Sequence, residues 1–221
     1  IAPSQVKNYL EDLDTSSTKV IIFSINSPGG TVSASKNLYE IIKNYKNTHK
    51  VEILFHTNEL LASGGYWVSM SGDKIFANYG SIIGSIGVKG PDWFYYDTPN
   101  SISTGIFGST IETDEGIKIY SNTAGKSKDI LNPFRKPTKQ ELNHLQQMVE
   151  SIYEDFVRIV SKERSLETNI IINEIGALIY TTKNAKKLNL IDGETNLDDL
   201  IAKILREKEF KDYKIIKTHS L

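Results

Sequence analysis

The sequence predicts an α/β protein with a mostly parallel sheet, flanking helices and a C-terminal helical segment. Nearly continuous apolar runs at 19–26 and 50–56 are typical of strands that are buried on both faces. Between them, residues 33–45 carry apolar side chains at helical spacing. Because strand and helix alternate, we expect parallel strands with helices as connections. We interpret 1–221 as a single domain whose C-terminal helical part covers 138–221.

The remaining elements each follow from a local pattern. Helical spacing, β-branched runs and turn residues predict a helix at 4–14, a short helix after Ser63, a strand at 74–77, a glycine-punctuated segment at 80–88, helices at 182–188 and 197–206, and a last strand at 213–217. The longest helix begins where Pro137 is followed by the capping box Thr138-Lys139-Gln140-Glu141. Its apolar stripe continues to Arg164 and predicts a packing face.

Composition limits the classes of function. The chain has 26 basic and 27 acidic residues, so bulk charge favours neither nucleic acid nor an anionic membrane surface as a partner. It has no cysteine, which excludes disulfides, a thiol nucleophile and thiolate metal ligands. No apolar run approaches the roughly 20 residues that cross a bilayer. We therefore expect the chain as given to be soluble, and we predict no metal and no cofactor.

Residues 90–116 differ in composition from the rest of the chain. They are turn-rich and net acidic, and they hold the aromatic residues Trp93, Phe94, Tyr95, Tyr96 and Phe107. A loop of this length inside a compact domain is usually functional or disordered. Two interpretations stay open, namely a wall of a substrate cleft or an oligomer contact, and a small hairpin that covers its own hydrophobic cluster.

Ser63 has the sequence context of a nucleophile. It ends the apolar run Leu60-Leu61-Ala62 and is followed by two glycines and an aromatic pair. A reactive serine needs a sharp backbone turn and a close approach to a carbonyl, and glycines permit both. A second small-residue turn, at 26–30, also follows an apolar run. Two turns that each end a strand can direct backbone N–H groups at one point.

A serine nucleophile needs a base, and histidine is the usual one. The chain has four histidines, His49, His56, His144 and His219. We expect a surface or structural role for each, with His56 the least easily dismissed. Lysine serves instead when burial lowers its pKa. Small and apolar residues surround Lys126 and Lys128, and the residues alone leave either one as the base.

Four ordered motifs resemble those of the signal peptide peptidase A family. They are Asn26-Ser27-Pro28-Gly29-Gly30, Ala62-Ser63-Gly64-Gly65-Tyr66-Trp67, Gly84-Ser85-Ile86-Gly87-Val88 and Lys128-Asp129-Ile130, and the resemblance continues through Ala185-Lys186-Lys187-Leu188-Asn189-Leu190-Ile191-Asp192. Most of residues 18–200 are covered. The resemblance implies a serine protease with the Clp protease/crotonase fold and a Ser-Lys dyad. The segment between Val88 and Lys128 is longer than the family usually has, and we interpret the stretch 90–116 within it as an insertion.

The resemblance also implies roles for individual residues. Ser63 corresponds to the nucleophile, Lys128 to the general base and Ser85 to a hydroxyl that orients the lysine. The N–H groups of Gly30 and Gly64 correspond to the oxyanion hole. For an extended hydrophobic peptide that pairs along a strand edge, the predicted substrate contacts are Tyr66, Ile86 and Gly87.

Further expectations concern partners and location. The resemblance implies hydrophobic peptide substrates such as remnant signal peptides, a homo-oligomer, and membrane association through a segment before Ile1, with the catalytic domain on the extracytoplasmic side. Two other functions stay open. A crotonase-like acyl-CoA enzyme would share the fold but has no use for Ser63, and an inactive membrane-associated scaffold could share every motif.

Overall fold

The computed structural model describes residues 3–96, 103–105, 108–110, 120 and 122–218. Its strands are β1 Val20–Ser24, β2 Glu52–Thr57, β3 Leu60–Ala62, β4 Lys74–Ala77, β5 Ile82–Gly84, β6 Ser103–Gly105, β7 Gly108–Thr110, β8 Ile179–Thr181 and β9 Gly193–Glu194. Its helices are α1 Pro3–Glu11, α2 Val32–His49, α3 Gly64–Ser69, α4 Lys139–Arg164, α5 Thr168–Ile170, α6 Thr182–Lys187 and α7 Leu197–Glu207, and a π-helical turn, Ile171–Ile175, follows α5. No helix within these residues combines the length and apolar character needed to cross a membrane.

The chain forms two compact units. The first unit comprises residues 1–88 and 152–221, and the second comprises residues 89–151. In the first unit, β1, β2, β4 and β9 form a sheet in that order, with every pair parallel. A smaller sheet has the order β3, β5 and β8, in which only β8 is antiparallel. The hairpin of β6 and β7 belongs to the second unit.

The larger sheet is buried on both faces, as its apolar runs predict. On one face Ile53, Phe55 and Ile75 are at most 1% exposed and join the main core. The rings of Phe23 and Phe55 stack there at 5.3 Å between centroids. The opposite face packs against α7 through a cluster of Leu54, Phe76 and Leu200. Burial of both faces holds this sheet in place, and the turn at 26–30 follows its strand β1.

The capping box that begins α4 has the geometry its sequence predicts. The Glu141 N–H donates to Thr138 Oγ1 at 3.2 Å, and the Thr138 N–H donates to Glu141 Oε2 at 3.0 Å. These reciprocal bonds use two N–H groups that the helix start leaves without partners. Further along α4, the ring of Phe156 stacks on Trp67 at 4.6 Å within the first unit. The apolar stripe of that half is therefore a packing face, as predicted.

The prediction of a last strand at 213–217 is wrong. These residues lie in an irregular segment, and Tyr213, Ile215 and Ile216 are 57%, 48% and 66% exposed. A β-rich run becomes a strand only when a sheet edge pairs with it, and none of the described strands does so here. The α/β class and the mostly parallel sheet are confirmed.

Candidate active site

Ser63 occupies a strained turn between β3 and α3. Its φ is 50° and its ψ is −123°, a conformation that non-glycine residues rarely adopt. The Ser63 N–H donates to Gly84 O at 2.9 Å, and the Ser63 carbonyl accepts the Trp67 N–H at 2.9 Å. The half-buried Oγ forms no hydrogen bond with any described residue. Strain of this kind with a free hydroxyl at a strand-to-helix turn is typical of a nucleophile.

The glycine turn after β1 lies directly against Ser63. The Ser27 N–H donates to Leu60 O at 2.7 Å, and Ser27 O accepts the Ala62 N–H at 3.0 Å, so the turn is paired with β3. Gly29 has a φ of 129°, and a Cβ there would lie 2.9 Å from Ser63 Cβ and 3.1 Å from Ser63 Oγ. Because a real Cβ does not tolerate such distances, only glycine permits this approach.

Asn26 fixes the base of that turn through its side-chain oxygen. Oδ1 accepts hydrogen bonds from Thr57 Oγ1 at 2.9 Å, from the Glu59 N–H at 3.0 Å and from the Asn58 N–H at 3.1 Å. One carbonyl thus binds the end of β1 to the loop that follows β2. The sequence motif includes Asn26, but its role depends on a neighbouring loop that the motif does not contain.

The two predicted oxyanion donors lie close together. Gly30 N is 3.2 Å from the point that a Cβ on Gly64 would occupy, and Gly64 N is 3.3 Å from the corresponding point on Gly29. Gly64 is the first residue of α3, so its N–H has no acceptor within the helix. Neither N–H has an acceptor elsewhere in the described residues. Both donors are therefore available to an oxygen atom beside Ser63.

Ser85 leaves the neighbouring strand at the same level as Ser63. Strands β3 and β5 are parallel and pair Ala62 with Gly84, so the two serines follow at the same end of the sheet. Ser85 also has a positive φ, of 54°, and its N–H donates to Leu178 O at 2.7 Å. The structure thus brings Ser63, Ser85 and both glycine turns to the carboxyl end of the smaller sheet.

Tyr66 and Ile86, predicted substrate contacts, belong to the core. Each is 0% exposed, and the Tyr66 hydroxyl donates to Leu190 O at 2.7 Å. Burial raises the pKa of Tyr66 well above its usual range. Both side chains thus pack beneath the turn, and contact of Tyr66 and Ile86 with a substrate stays a prediction. Gly87 is half-buried, and its N–H donates to Ser85 O at 2.9 Å.

The described histidines hold structural or surface positions. His56 is 0% exposed, its Nε2 lies 3.0 Å from Thr195 O, and burial lowers its pKa. His49 packs its ring against Tyr45 at 4.4 Å, and His144 is exposed. None of these three bonds to Ser63, and His219 lies outside the described residues.

Lys126 and Lys128 lie in the second unit and differ in their contacts. Both are exposed, but Lys126 Nζ donates to Gln140 Oε1 at 2.9 Å. The Lys128 amine has no hydrogen bond or ion pair with any residue in the described ranges. Its N–H donates to Gly125 O at 3.2 Å within a compact turn. Of the two amines, only that of Lys128 has no hydrogen-bond partner among the described residues.

The aromatic residues of 90–116 pack partly within the second unit. Trp93 Nε1 donates to Asn132 O at 3.1 Å, and the Tyr96 N–H donates to Pro133 O at 2.9 Å. Phe94 is 64% exposed. Residues 97–102, 106–107 and 111–119, and with them Phe107, lie outside the described residues. The small hairpin β6–β7 is present in this segment.

Ser35 is a site residue that sequence reasoning missed. It is 5% exposed, and its Oγ lies 2.2 Å from the point that a Cβ on Gly64 would occupy. Its hydroxyl donates to Thr31 O at 2.9 Å, which holds it in place. The two glycines after Ser63 indicate that space is limited there, but the sequence does not identify Ser35 as the neighbour that limits it.

Gly64→Ala is expected to disrupt this arrangement, because the new methyl group would overlap Ser35 Oγ and press on Gly30 N. We expect a loss of about 1–3 kcal/mol in the free energy of unfolding and a decrease in kcat of about 10²- to 10³-fold if the N–H moves. Urea unfolding and peptide hydrolysis measure both. Gly30→Ala is the matched control, because a Cβ there meets no atom within 4 Å, and equal damage from both variants would contradict the steric argument.

The architecture is that of a Clp protease. The structure matches a solved ClpP1 mutant from Listeria monocytogenes with a TM-score of 0.55 and 14% identity, over 90% of this chain and 86% of that chain. At this identity the match establishes the fold. The predicted Clp protease fold is confirmed.

The chain belongs to peptidase family S49, whose family model matches residues 46–211. It is 35% identical over 89% of its length to a Methanocaldococcus jannaschii protein provisionally named a protease. It is 30% identical over 96% of its length to an Enterococcus faecium protein provisionally named signal peptide peptidase SppA. The chain covers 59% and 57% of these two relatives. The predicted family is confirmed, and it is a family of peptidases.

Proposed function

We propose that this chain carries the catalytic centre of a serine endopeptidase with a Ser-Lys dyad. The observation that carries the proposal is the strained Ser63, whose Oγ lies beside the N–H groups of Gly30 and Gly64, all three without a hydrogen-bond partner in the described part of the chain. Such a centre suits attack on a carbonyl carbon. It favours a peptidase over an acyl-CoA enzyme, which would use the N–H groups but leave the hydroxyl without a role.

The first step forms a bond between Ser63 Oγ and the carbonyl carbon of the scissile peptide, while the base takes the hydroxyl proton. The carbonyl oxygen becomes an oxyanion that accepts from the N–H groups of Gly30 and Gly64, and each such donor contributes about 10²- to 10³-fold in rate. The C–N bond then breaks as the base returns the proton to the leaving amine. Water hydrolyses the remaining ester and restores Ser63.

Lys128 is the proposed base and Ser85 the hydroxyl that orients its amine. Membership of the family and the Lys128-Asp129-Ile130 motif support this choice, as does the lack of a described partner for the amine. A lysine accepts a proton only when uncharged, and removal of water favours that form. Because Lys128 is exposed in the described structure, the proposal includes exclusion of water by the bound peptide and by self-association into a homo-oligomer.

The proposed substrates are hydrophobic peptides, including remnant signal peptides at a membrane. One relative carries the name of a signal peptide peptidase. Apolar side chains stand exposed on the smaller sheet and before β8, with Ile82 at 39%, Leu178 at 64% and Ile179 at 58%. Exposed apolar surface of this kind suits an extended apolar peptide. Membrane association through a further segment, facing the extracytoplasmic side, is part of the same proposal.

A fluorophosphonate probe that reacts with activated serines tests the proposal directly. We expect mass spectrometry to find the label on Ser63, and we expect hydrolysis of a fluorogenic hydrophobic peptide to cease as labelling proceeds. Ser69 is a useful internal comparison, because it is 1% exposed and its hydroxyl donates to Tyr66 O at 2.7 Å. Failure to label Ser63 in a folded protein that hydrolyses peptide would overturn the proposal, and absence of both activities would support a scaffold.

A further inference from the structure

Arg135 holds two carboxylates at once in the second unit. Its Nε and Nη2 donate to Asp129 Oδ2 and Oδ1 at 2.6 and 2.9 Å. Its Nη1 and Nη2 donate to Glu141 Oε2 and Oε1 at 2.9 and 2.7 Å. The side chain of Arg135 is 29% exposed and that of Glu141 only 5%. Two bidentate pairs on one guanidinium define a rigid link, since its planar fork fits both carboxylates.

One end of this link is the turn that carries Lys128. Asp129 follows Lys128 directly, and Arg135 Nη2 also lies 3.3 Å from the Asp129 carbonyl oxygen. The turn is closed by main-chain bonds, among them Lys128 N–H to Gly125 O at 3.2 Å and Asn132 N–H to Asp129 O at 3.0 Å. Fixing both the side chain and the carbonyl of Asp129 therefore fixes the backbone from which the Lys128 amine extends.

The other end of the link is the first turn of α4. Glu141 belongs to the capping box, and its Oε2 accepts both the N–H and the hydroxyl of Thr138, at 3.0 and 2.9 Å. Hydrogen bonds from Arg135, then from Thr138, hold the pKa of Glu141 well below its usual range. Arg135 likewise lowers the pKa of Asp129. Both carboxylates therefore stay ionised at neutral pH, and the link persists there.

Trp93 covers the third side of the guanidinium. The Arg135 Cζ lies 5.2 Å from the ring centroid, within the range of a cation–π contact. The Trp93 indole also donates to Asn132 O at 3.1 Å, at the end of the same turn. The segment that begins the 90–116 insertion thus supports the lysine turn as well as Arg135.

We propose that Arg135 is a positioning residue for peptide hydrolysis, because it anchors the Lys128 turn to α4 and thereby sets the place of the catalytic amine. This inference rests on the proposed function, in which Lys128 is the base. Lysine cannot substitute, since an ammonium group keeps the charge but cannot bind two carboxylates in bidentate fashion. Charge and geometry can therefore be separated by one substitution.

Arg135→Lys is the test, with kcat and KM measured on a fluorogenic hydrophobic peptide. We expect kcat to fall about 10- to 100-fold, as a small displacement of a catalytic group does, with KM within about 2-fold of wild type because no substrate contact is lost. Arg158→Lys is the matched control. Arg158 is 74% exposed on α4 and, among the described residues, pairs with Asp155 one turn away, so its kcat should not change. A kcat of Arg135→Lys equal to that of the control would overturn the proposal.

A second measurement separates positioning from a general loss of structure. The rate at which the fluorophosphonate labels Ser63 is compared for Arg135→Lys in the wild-type and Lys128→Ala backgrounds. Because Arg135 acts through Lys128, the substitution should slow labelling in the first background and have no further effect in the second. If Arg135→Lys lowers the labelling rate equally in both backgrounds, the substitution acts on stability and the positioning role is rejected. This comparison remains decisive for a variant that folds poorly. If Lys128→Ala is labelled at the wild-type rate, the proposed Ser-Lys dyad is wrong. That failure of the proposed function is distinct from failure of the positioning role of Arg135.

Discussion

Ser63→Ala is expected to abolish peptide hydrolysis while the protein stays folded. Removing the nucleophile of a serine protease costs about 10⁶-fold in kcat in the best-measured case. The Ser63 Oγ has no hydrogen-bond partner in the described structure, and alanine keeps the same Cβ. We therefore expect the free energy of unfolding to change by no more than about 0.5 kcal/mol. Steady-state hydrolysis and thermal unfolding, measured side by side, check both expectations.

Ser33→Ala is the control for this variant, since Ser33 is exposed in the first turn of α2. It should hydrolyse peptide at the wild-type rate. Substantial hydrolysis by Ser63→Ala would mean that another group attacks the carbonyl, and the strained turn would then need a different explanation. Loss of activity together with unfolding would show that the hydroxyl stabilises the turn.

Lys128→Ala is expected to lose about as much activity as Ser63→Ala. Nucleophile and base act as a unit, so removal of either one leaves the same residual rate. Lys126→Ala provides a closely matched control, because it removes an exposed amine of the same turn whose bond is to Gln140. We expect this control to keep most of its activity. Rates of acylation and of peptide hydrolysis should be measured for both variants at equal concentrations of folded protein.

The opposite pattern, with Lys128→Ala active and Lys126→Ala inactive, would make Lys126 the base. Full activity of both variants would remove lysine from the mechanism altogether. Neither substitution should alter folding, because neither side chain is buried. Any difference between the two therefore reports on chemistry rather than on stability.

Elements with strong local signals could be predicted from the sequence. The capping box at Thr138, the strand at 74–77 and the turn at Ser63 each depend on a few neighbouring residues, and each is present. Strands β8 and β9 could not be predicted, since they are only three and two residues long and pair with strands far away in the chain. Non-local pairing, rather than propensity, forms such strands.

The candidate site divides in the same way. The two glycine turns follow from residues that are adjacent in sequence, whereas the crowding of Gly64 by Ser35 and the burial of Tyr66 depend on how separate segments pack. Tyr66 is an aromatic residue near a reactive serine, and its sequence position therefore suggests a ligand contact. In the structure its hydroxyl instead donates a hydrogen bond to Leu190 O. The choice of Lys128 over Lys126 came from the family resemblance, because the local sequence leaves both open.

The close fit of Gly29 against Ser63 has a consequence for how the protein binds its ligand. Gly29 and Ser63 are packed so closely that no side chain fits between them. Movement of one without the other would leave a void, which close-packed interiors disfavour. The N–H donors of Gly30 and Gly64 should therefore already be in position beside Ser63 in the unliganded protein. Binding of a ligand oxygen then loses little conformational entropy in ordering this site, and such preorganisation favours tighter binding.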